Sequence, residues 1–386
     1  MKRLLTLSLA GLLAACAGTD NSPQPTPLAK LTNQVGFDAV WKTAYSSNGL
    51  IDSVWHSSAN DGLHHFAPDT TGDAIYMAST KGIAGFSLTD GHRVAEFSTD
   101  KTLAGGLGAE NGVVVVGTLK GEVLAYSVDG KLSWQVQVSS EVIAPPVLAE
   151  GIAVVRTVDG HVWGLSLADG KVRWQFQRSQ PSLILRNYAP VTVSDGVVYV
   201  GLAGGRMAAL ALPDGRVMWD SQVALPKGAT ELERVADVTS APVVDRYKGH
   251  VCAVAFQGKV ACFAISNGTQ LWSREISSYV GLALDGTQAY VADVEGNVQA
   301  FDRNGGRSLW KQAALYGRRV SGPVTYKGYV AVGDFEGYVH LLSPTDGRIV
   351  ARFSTDKSRI VVPPRVVGDK LMVQTEGGGL YALAVK

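Results

Sequence analysis

Few residues of this 386-residue chain have the types and spacing that catalysis requires. The carboxylates form no spaced cluster outside turn corners, no two cysteines are adjacent, and neither a Ser/His/Asp signature nor an HExxH motif is present. The formal net charge of +1 argues against a nucleic-acid partner or a basic membrane-binding surface. The sequence therefore predicts a protein that is not an enzyme, binds no nucleic acid and holds no metal or cofactor.

A cysteine near the N-terminus carries the clearest chemistry. A basic start and an apolar run lead into LAAC, which resembles a bacterial lipobox ending at Cys16. This pattern predicts a signal peptide over residues 1–15, a lipid on Cys16, and a flexible tether rich in Pro, Thr and Ser over residues 16–32. Ala17, where an aspartate would favour the inner membrane, indicates an outer-membrane anchor facing the periplasm. An ordinary secretory signal with an incidental cysteine is the alternative.

Two other groups of residues are candidates for site chemistry. Cys252 and Cys262 lie on adjacent strands of one predicted hairpin, where two buried thiols are favoured over a disulfide, although an oxidising compartment permits the bond. His64 and His65 lie in a long connection that is a separate candidate surface. With no third ligand nearby in the sequence, they do not predict a metal site.

A repeated corner motif organises the rest of the chain and must position any site. An Asp-Gly or Asn-Gly pair recurs, and in five copies a tryptophan follows five or six positions later: Trp134, Trp174, Trp219, Trp272 and Trp310. Intervals such as the 40 residues from Trp134 to Trp174 are typical of a β-propeller blade. We interpret these tryptophans as packing between blades, rather than as platforms for ligand stacking.

The repeats also predict how the ring closes. Seven copies are followed by three strands of an eighth, which begins at Ile360. The segment FDAVWKTAY contains Trp41 but no corner motif, and is predicted to supply the missing fourth strand. The sequence thus predicts one all-β, eight-bladed propeller of four-stranded antiparallel blades over residues 33–386, or seven blades if the last repeat is vestigial. Phe97 and Phe353 are predicted to take the tryptophan place in copies that have alanine there.

Two connections between repeats depart from the regular length. The distance from the tryptophan to the next strand-opening proline is 12 or 13 positions in two copies, but 16 after Trp174 and 23 after Trp219. In a four-stranded antiparallel propeller, all outer-to-inner connections lie on one face, so these consecutive loops are neighbours. Their sequences, RSQPSLILRNYAP and SQVALPKGATELERVADVTSAP, place leucines beside charges of both signs and predict a protein-binding surface. Leucines folded under their own loop, with solvated charges, are the alternative.

The corner motifs ALPDGRVMW, SLADGKVRW and SVDGKLSW resemble the tryptophan-docking repeats of PQQ-type propellers. Within that superfamily the whole chain resembles the BamB family, the propeller lipoproteins of the outer-membrane β-barrel assembly (BAM) machinery. The specific matches are PSLILR, ATELERVADV and VGDFEGYVHLLSPTDGR, and the first two lie in the irregular loops. PQQ-dependent periplasmic dehydrogenases and other periplasmic propeller binding proteins are the alternative classes.

The resemblance implies a non-enzymatic scaffold that binds the periplasmic domains of BamA and assists barrel insertion, and it leaves unfolded outer-membrane proteins open as a second partner. It also implies that Leu183, Leu185, Arg186 and Asp237 form the contact. A second acidic residue common in the family is Thr239 in this chain. Arg186 and Asp237 could pair with each other or reach the partner; either way an exposed pair contributes only about 0–1 kcal/mol, so the leucines are expected to contribute more.

Overall fold

The computed structural model describes residues 24–45, 65–186 and 188–386. This part of the chain contains 32 β-strands. None of its segments forms a helix long and apolar enough to cross a membrane. Cys16 and His64 lie outside the described residues.

The strands form eight sheets of four, which we call blades 1 to 8 in chain order. The first strand, β1 (Phe37–Ala44), belongs to blade 8. The strands of each blade are given from the inner to the outer one. Blade 1 contains β2 (Asp69–Thr71), β3 (Ala74–Ala78), β4 (Gly82–Ser87) and β5 (Arg93–Ser98), and blade 2 contains β6 (Leu103–Glu110), β7 (Val113–Thr118), β8 (Glu122–Ser127) and β9 (Leu132–Gln137). Blade 3 contains β10 (Val147–Ala149), β11 (Ile152–Arg156), β12 (His161–Ser166) and β13 (Val172–Gln177), and blade 4 contains β14 (Thr192–Ser194), β15 (Val197–Leu202), β16 (Arg206–Ala211) and β17 (Val217–Gln222).

Blades 5 to 8 repeat this arrangement. They contain β18 (Val243–Asp245), β19 (His250–Val254), β20 (Lys259–Ala264) and β21 (Gln270–Glu275); β22 (Leu282–Leu284), β23 (Gln288–Ala292), β24 (Val298–Asp302) and β25 (Ser308–Gln312); β26 (Val324–Tyr326), β27 (Tyr329–Gly333), β28 (Tyr338–Leu342) and β29 (Ile349–Ser354); β30 (Arg365–Val367), β31 (Lys370–Gln374) and β32 (Gly379–Val385), with β1 outermost. The two middle strands of each blade are almost wholly buried and rich in Val, Ala and Leu, because both of their faces pack against neighbouring blades.

The N-terminal strand closes the ring. β1 pairs antiparallel with β32 over a register that runs from Phe37 opposite Val385 to Ala44 opposite Gly379. The terminal Lys386 Nζ lies 2.9 Å from Oδ2 of Asp38. The predicted eight-bladed, all-β fold is therefore confirmed, and the seven-bladed alternative is wrong.

Docked tryptophans connect most blades to the next. The indole N–H donates to a backbone carbonyl just beyond the third strand of the following blade, in the pairs Trp41–Leu88, Trp134–Leu167, Trp174–Leu212, Trp219–Ile265, Trp272–Arg303 and Trp310–Pro344, at 2.7–3.1 Å. The ring lies against the corner glycine of that blade. At Gly170, for example, φ is +71° and a Cβ would lie 2.6 Å from Cε3 of Trp134, so no other residue fits. Phe97 lies against Gly130 in a similar way.

One expectation about blade 5 is wrong. Cys252 and Cys262 form a disulfide rather than two buried thiols. They are direct partners on the neighbouring strands β19 and β20, with Cα atoms 4.0 Å apart, and both are completely buried. The hairpin register places the two sulfur atoms together, which the residue spacing alone did not establish.

The segment that leads into β1 lies against the disc. The amide of Thr26 donates to the carbonyl of Tyr316 at 2.9 Å, and that of Gln34 donates to the carbonyl of Val350 at 2.8 Å. Asn33 exchanges two hydrogen bonds with the backbone of Arg352 through its side-chain amide. The sequence predicts a flexible tether up to residue 32, whereas from residue 24 onward the structure shows these contacts.

Candidate partner-binding surface

The two irregular connections lie side by side on one face of the disc, where they flank blade 4. The first loop comprises residues 178–191, of which 187 is not described, and the second loop comprises residues 223–242. The turns between the second and third strands of each blade open on the same face. The loops consequently rest on a rigid floor of blade ends, including the Gly204-Gly205 turn between β15 and β16.

Asp237 ties the two loops and this floor together. Its carboxylate accepts the amide N–H of Leu185 at 2.7 Å and that of Gly204 at 2.9 Å. The residue is only 3% exposed, so it cannot present a free carboxylate to a partner in this conformation. The adjacent Gly205 has φ of +69° and a Cβ there would meet the carbonyl oxygen of Ala224 at 2.1 Å, so the turn requires glycine.

A buried arginine lies beneath this junction. The side chain of Arg156, at the end of β11, makes no hydrogen bond or ion pair with the described residues. Desolvation lowers the pKa of its guanidinium to about 10, and the charge of Asp237 opposes that shift. Arg156, Asp237 and Leu185 line a cavity of about 10 Å³, roughly the size of one water molecule. The negative charge of Asp237 thus compensates a buried positive charge as well as fixing the first loop.

The first loop presents a leucine and an arginine outward. Leu183 is 38% exposed, whereas Leu185 is partly buried. Nη2 of Arg186 lies 3.3 Å from Oε2 of Glu141, which belongs to the preceding connection, and both side chains are about half exposed. The alternative in which Arg186 pairs with Asp237 is therefore not what the structure shows. An ion pair this exposed contributes about 0–1 kcal/mol, so Arg186 can exchange Glu141 for a partner carboxylate at little cost.

The second loop is held by its own hydrogen bonds. The carboxylate of Glu233 accepts the amides of Ala229 and Thr230 at 2.7 and 3.2 Å, and Thr230 Oγ1 accepts the amide of Glu233 at 3.3 Å. This reciprocal arrangement resembles a helix capping box and fixes the loop tip. Two leucines of the loop remain outside, Leu225 with 63% and Leu232 with 71% of its surface exposed.

Sequence reasoning missed these last two leucines, and it also missed Glu141 and Arg156. The available signal for Leu232 was an apolar residue between two glutamates in a long connection. Thr239, which stands in for the second acidic residue, donates from its hydroxyl to the carbonyl of Tyr279 at 3.4 Å and carries no charge.

The connection that contains the histidine pair meets the first loop. The ring of His65 stacks on that of Tyr188, with centroids 4.2 Å apart and planes at 13°. In the described ranges, no three His, Cys, Asp or Glu side chains gather in a way that would hold a metal ion. His65 is thus an aromatic contact beside the first loop, rather than part of a separate surface.

A polar cluster is buried in blade 7, away from the two loops. Asp334 and His340 are completely buried, and Asp334 Oδ2 lies 2.9 Å from Nε2 of His340 and 2.8 Å from Nε of Arg318. Arg352 Nε donates to Nδ1 of His340 at 3.3 Å, so the proton of the neutral ring resides on Nε2. Burial lowers the pKa of His340, and the hydrogen bond to Asp334 opposes this shift without reversing it.

Fold and surface together define a class: an eight-bladed propeller of tryptophan-docked, PQQ-like repeats that carries an irregular, partly apolar two-loop surface. A family profile described as outer membrane protein assembly factor BamB matches residues 79–312 and 294–386. The chain belongs to the BamB family.

Individual relatives agree. The chain is 38% identical to the outer membrane protein assembly factor BamB of Bordetella pertussis over 88% of each chain. It is 36% identical to that of Nitrosomonas eutropha over 100% of this chain and 95% of the relative. Among solved structures, BamB from Moraxella catarrhalis superposes with a TM-score of 0.80 at 25% identity, covering 90% of this chain and 100% of that one.

Enzymes share only the fold. The quinohemoprotein alcohol dehydrogenase from Comamonas testosteroni gives a TM-score of 0.67 at 11% identity, covering 92% of this chain and 77% of that one. At that identity the similarity concerns architecture alone. The relatives at 36–38% identity are outer membrane protein assembly factors, so the chain is an assembly factor for outer membrane proteins and not an enzyme.

Proposed function

We propose that this protein is a lipid-anchored scaffold that faces the periplasm and docks, through the two-loop surface, on the periplasmic domains of BamA, so assisting the insertion of β-barrel proteins into the outer membrane. Family membership supports the assembly role. The single observation that carries the docking site is a set of exposed apolar side chains, Leu183, Leu225 and Leu232, held on loops that their own hydrogen bonds fix.

The residues have different roles in this proposal. Leu183, with the outer part of Leu185, provides apolar contact area, and Arg186 leaves Glu141 to meet an acidic group of the partner. Asp237 is a positioning residue, because it is buried and holds the amide of Leu185. Preordered loops lose little conformational entropy on binding, so a few exposed side chains suffice for a specific contact.

The test replaces Leu183, Leu185 and Arg186 together by alanine. Co-purification with BamA from solubilised membranes should be lost, while the melting temperature stays within a few degrees of wild type, because Leu183 and Arg186 are exposed and Leu185 is only partly buried. A matched control replaces Leu132, Leu271 and Arg274, which are exposed on outer strands elsewhere on the disc. Unchanged co-purification in the first variant, or equal loss in the control, would contradict the assignment.

The anchor is tested separately. Cys16 lies outside the described residues, and its lipidation rests on the lipobox pattern. Replacing Cys16 by alanine should move the protein from the membrane fraction to the soluble periplasmic fraction. If the protein stays in the membrane fraction even when this change is combined with the triple variant that removes BamA binding, another feature holds it there.

A further inference from the structure

In the described part of the chain, two of the eight blade interfaces have no docked tryptophan. In blades 1 and 7, the strand position that aligns with the tryptophans is Ala95 and Ala351, each opposite the third strand just before its register shift. Trp134 occupies the corresponding position in blade 2, opposite Ala125. At these two interfaces, alanine therefore stands where a tryptophan packs between blades elsewhere in the same molecule.

At blade 7, a segment of the chain itself covers the interface. The N-terminal segment runs along β29, where the amide of Gln34 donates to the carbonyl of Val350 at 2.8 Å. Phe353 packs edge-on against Phe37 and Tyr381, with ring centroids 6.3 and 6.1 Å away. As a result Val350, next to Ala351, is only 4% exposed. An extended polypeptide thus completes a blade edge that has no tryptophan.

At blade 1 the corresponding place is filled only in part. Phe97 packs against Gly130 and against the ring of Tyr126, whose centroid lies 5.3 Å away, and beside it lies an open cavity of about 440 Å³, lined mainly by apolar atoms of Tyr76, Val94 and Val128 among others. Val94, which corresponds to Val350, is 48% exposed, as is usual for this position in the outer strands, where Met218 is 45% and Leu271 43% exposed. No described residue donates a hydrogen bond to the carbonyl of Val128, the counterpart of the carbonyls that accept the indole N–H in the other blades.

We propose that this cavity between blades 1 and 2 binds an aromatic side chain, best a tryptophan, carried by an extended segment of a partner polypeptide that lies along β5. The occupant is inferred from the molecule's own repeats: at six interfaces an indole N–H reaches the carbonyl that corresponds to that of Val128, and an extended chain segment covers the other interface that has no tryptophan. The volume lies within the usual range of ligand pockets.

This site is independent of the proposed BamA contact. Its walls include the turn between β2 and β3 and the corner after β8, which open on the face opposite the two loops. One partner segment can therefore occupy the cavity while the two-loop surface is engaged. The proposal goes beyond the scaffold role, because it gives the disc a second polypeptide site on its other face.

The test uses the full protein and two short acetylated, amidated peptides, Thr-Val-Trp-Val-Thr and the same sequence with alanine for tryptophan. Binding of the tryptophan peptide should be measurable by calorimetry and should shift the amide resonances of Val94, Gly112 and Val128. The alanine peptide should bind at least about tenfold more weakly. Ala95→Trp supplies the missing indole from within, so it should raise the melting temperature and abolish peptide binding.

Ala351→Trp is the matched control, because Phe37, Phe353 and Tyr381 already fill the space at that interface. It should lower the melting temperature and leave peptide binding unchanged. If Ala95→Trp fails to fold, Val94→Glu, at an exposed position, should weaken binding at least about tenfold with little change in stability. Equal binding of both peptides, no binding to wild type, or binding that survives both cavity variants would overturn the proposal. The triple variant of the two-loop surface should bind the peptide normally, which separates this site from the BamA contact.

Discussion

Replacing Asp237 by alanine tests whether the two-loop surface is built by a buried carboxylate. The change removes both hydrogen bonds that the carboxylate accepts, from Leu185 at 2.7 Å and from Gly204 at 2.9 Å. Hydrogen bonds to a charged group each contribute about 1.5–3 kcal/mol. Only the bond to Leu185 reaches the first loop, so the closed position of that loop should lose about 1.5–3 kcal/mol, while the second loop loses its bond to Gly204. In addition, the buried guanidinium of Arg156 loses the charge that compensates it.

The most direct assay is amide hydrogen exchange at the two donors. Since every 1.4 kcal/mol is a factor of ten, the loss of about 1.5–3 kcal/mol should speed exchange at Leu185 by about 10- to 100-fold. Co-purification with BamA should fall as well, although Leu183 and Arg186 are still present. Asp237→Asn retains one acceptor oxygen and should give an intermediate result.

Asp195→Asn serves as the control. Asp195 also carries an ion pair, with Arg246 Nη1 at 2.8 Å, but both side chains are exposed and lie on the other face. Its replacement should leave exchange at Leu185 and Gly204 unchanged. If Asp237→Ala behaved like this control, with exchange rates within a factor of three of wild type, then the carboxylate would not hold the loop and the reasoning would be refuted.

Two other predictions concern the stability of the propeller itself. Trp174→Phe keeps the packed ring but removes the buried N–H bond to Leu212 at 2.7 Å, so the free energy of unfolding in urea should fall by about 1–2 kcal/mol with BamA binding intact, and an unchanged value would show that the bond contributes nothing. His340 is buried and neutral beside Asp334 and Arg352, so its pKa in the folded protein lies below its unfolded pKa of about 6.5. As pH falls, the unfolded chain therefore takes up a proton before the folded protein does. The free energy of unfolding should consequently decline from pH 6.5 towards pH 5. His340→Gln should flatten that decline in denaturation curves taken from pH 7 to pH 5, and equal slopes for the two proteins would contradict it.

The fold could be predicted from sequence because its determinants are local and repeated. Corner glycines and the tryptophans that pack on them recur at regular spacing, and each blade is made of hairpins between consecutive strands. Closure by β1 could be predicted by counting strands, because the last repeat has three strands and the segment with Trp41 belongs to no other repeat.

The site was predictable only in part. Loop length singled out the two connections, but no local pattern shows whether Asp237 points outward or inward, and the structure buries it against two amides. Arg156 lies in an ordinary valine-rich strand, and its charge interacts with that of Asp237, in a loop some 80 positions later. Tertiary packing, which no local pattern shows, brings the two together. The Cys252–Cys262 bond similarly depends on hairpin register, which spacing left open.

Ring closure by β1 and β32 also has a consequence for the biogenesis of the protein. Blades 1 to 7 join strands that are neighbours in sequence, so each can form as soon as its own residues are available, whereas blade 8 unites Phe37 with Val385. A chain that is synthesised from its N-terminus exposes β1 first, and β1 has no partner until the final strand is made. Until then the rim has two unpaired edges, and a prematurely terminated product retains them. Completion of the disc thus depends on the last strand to be made.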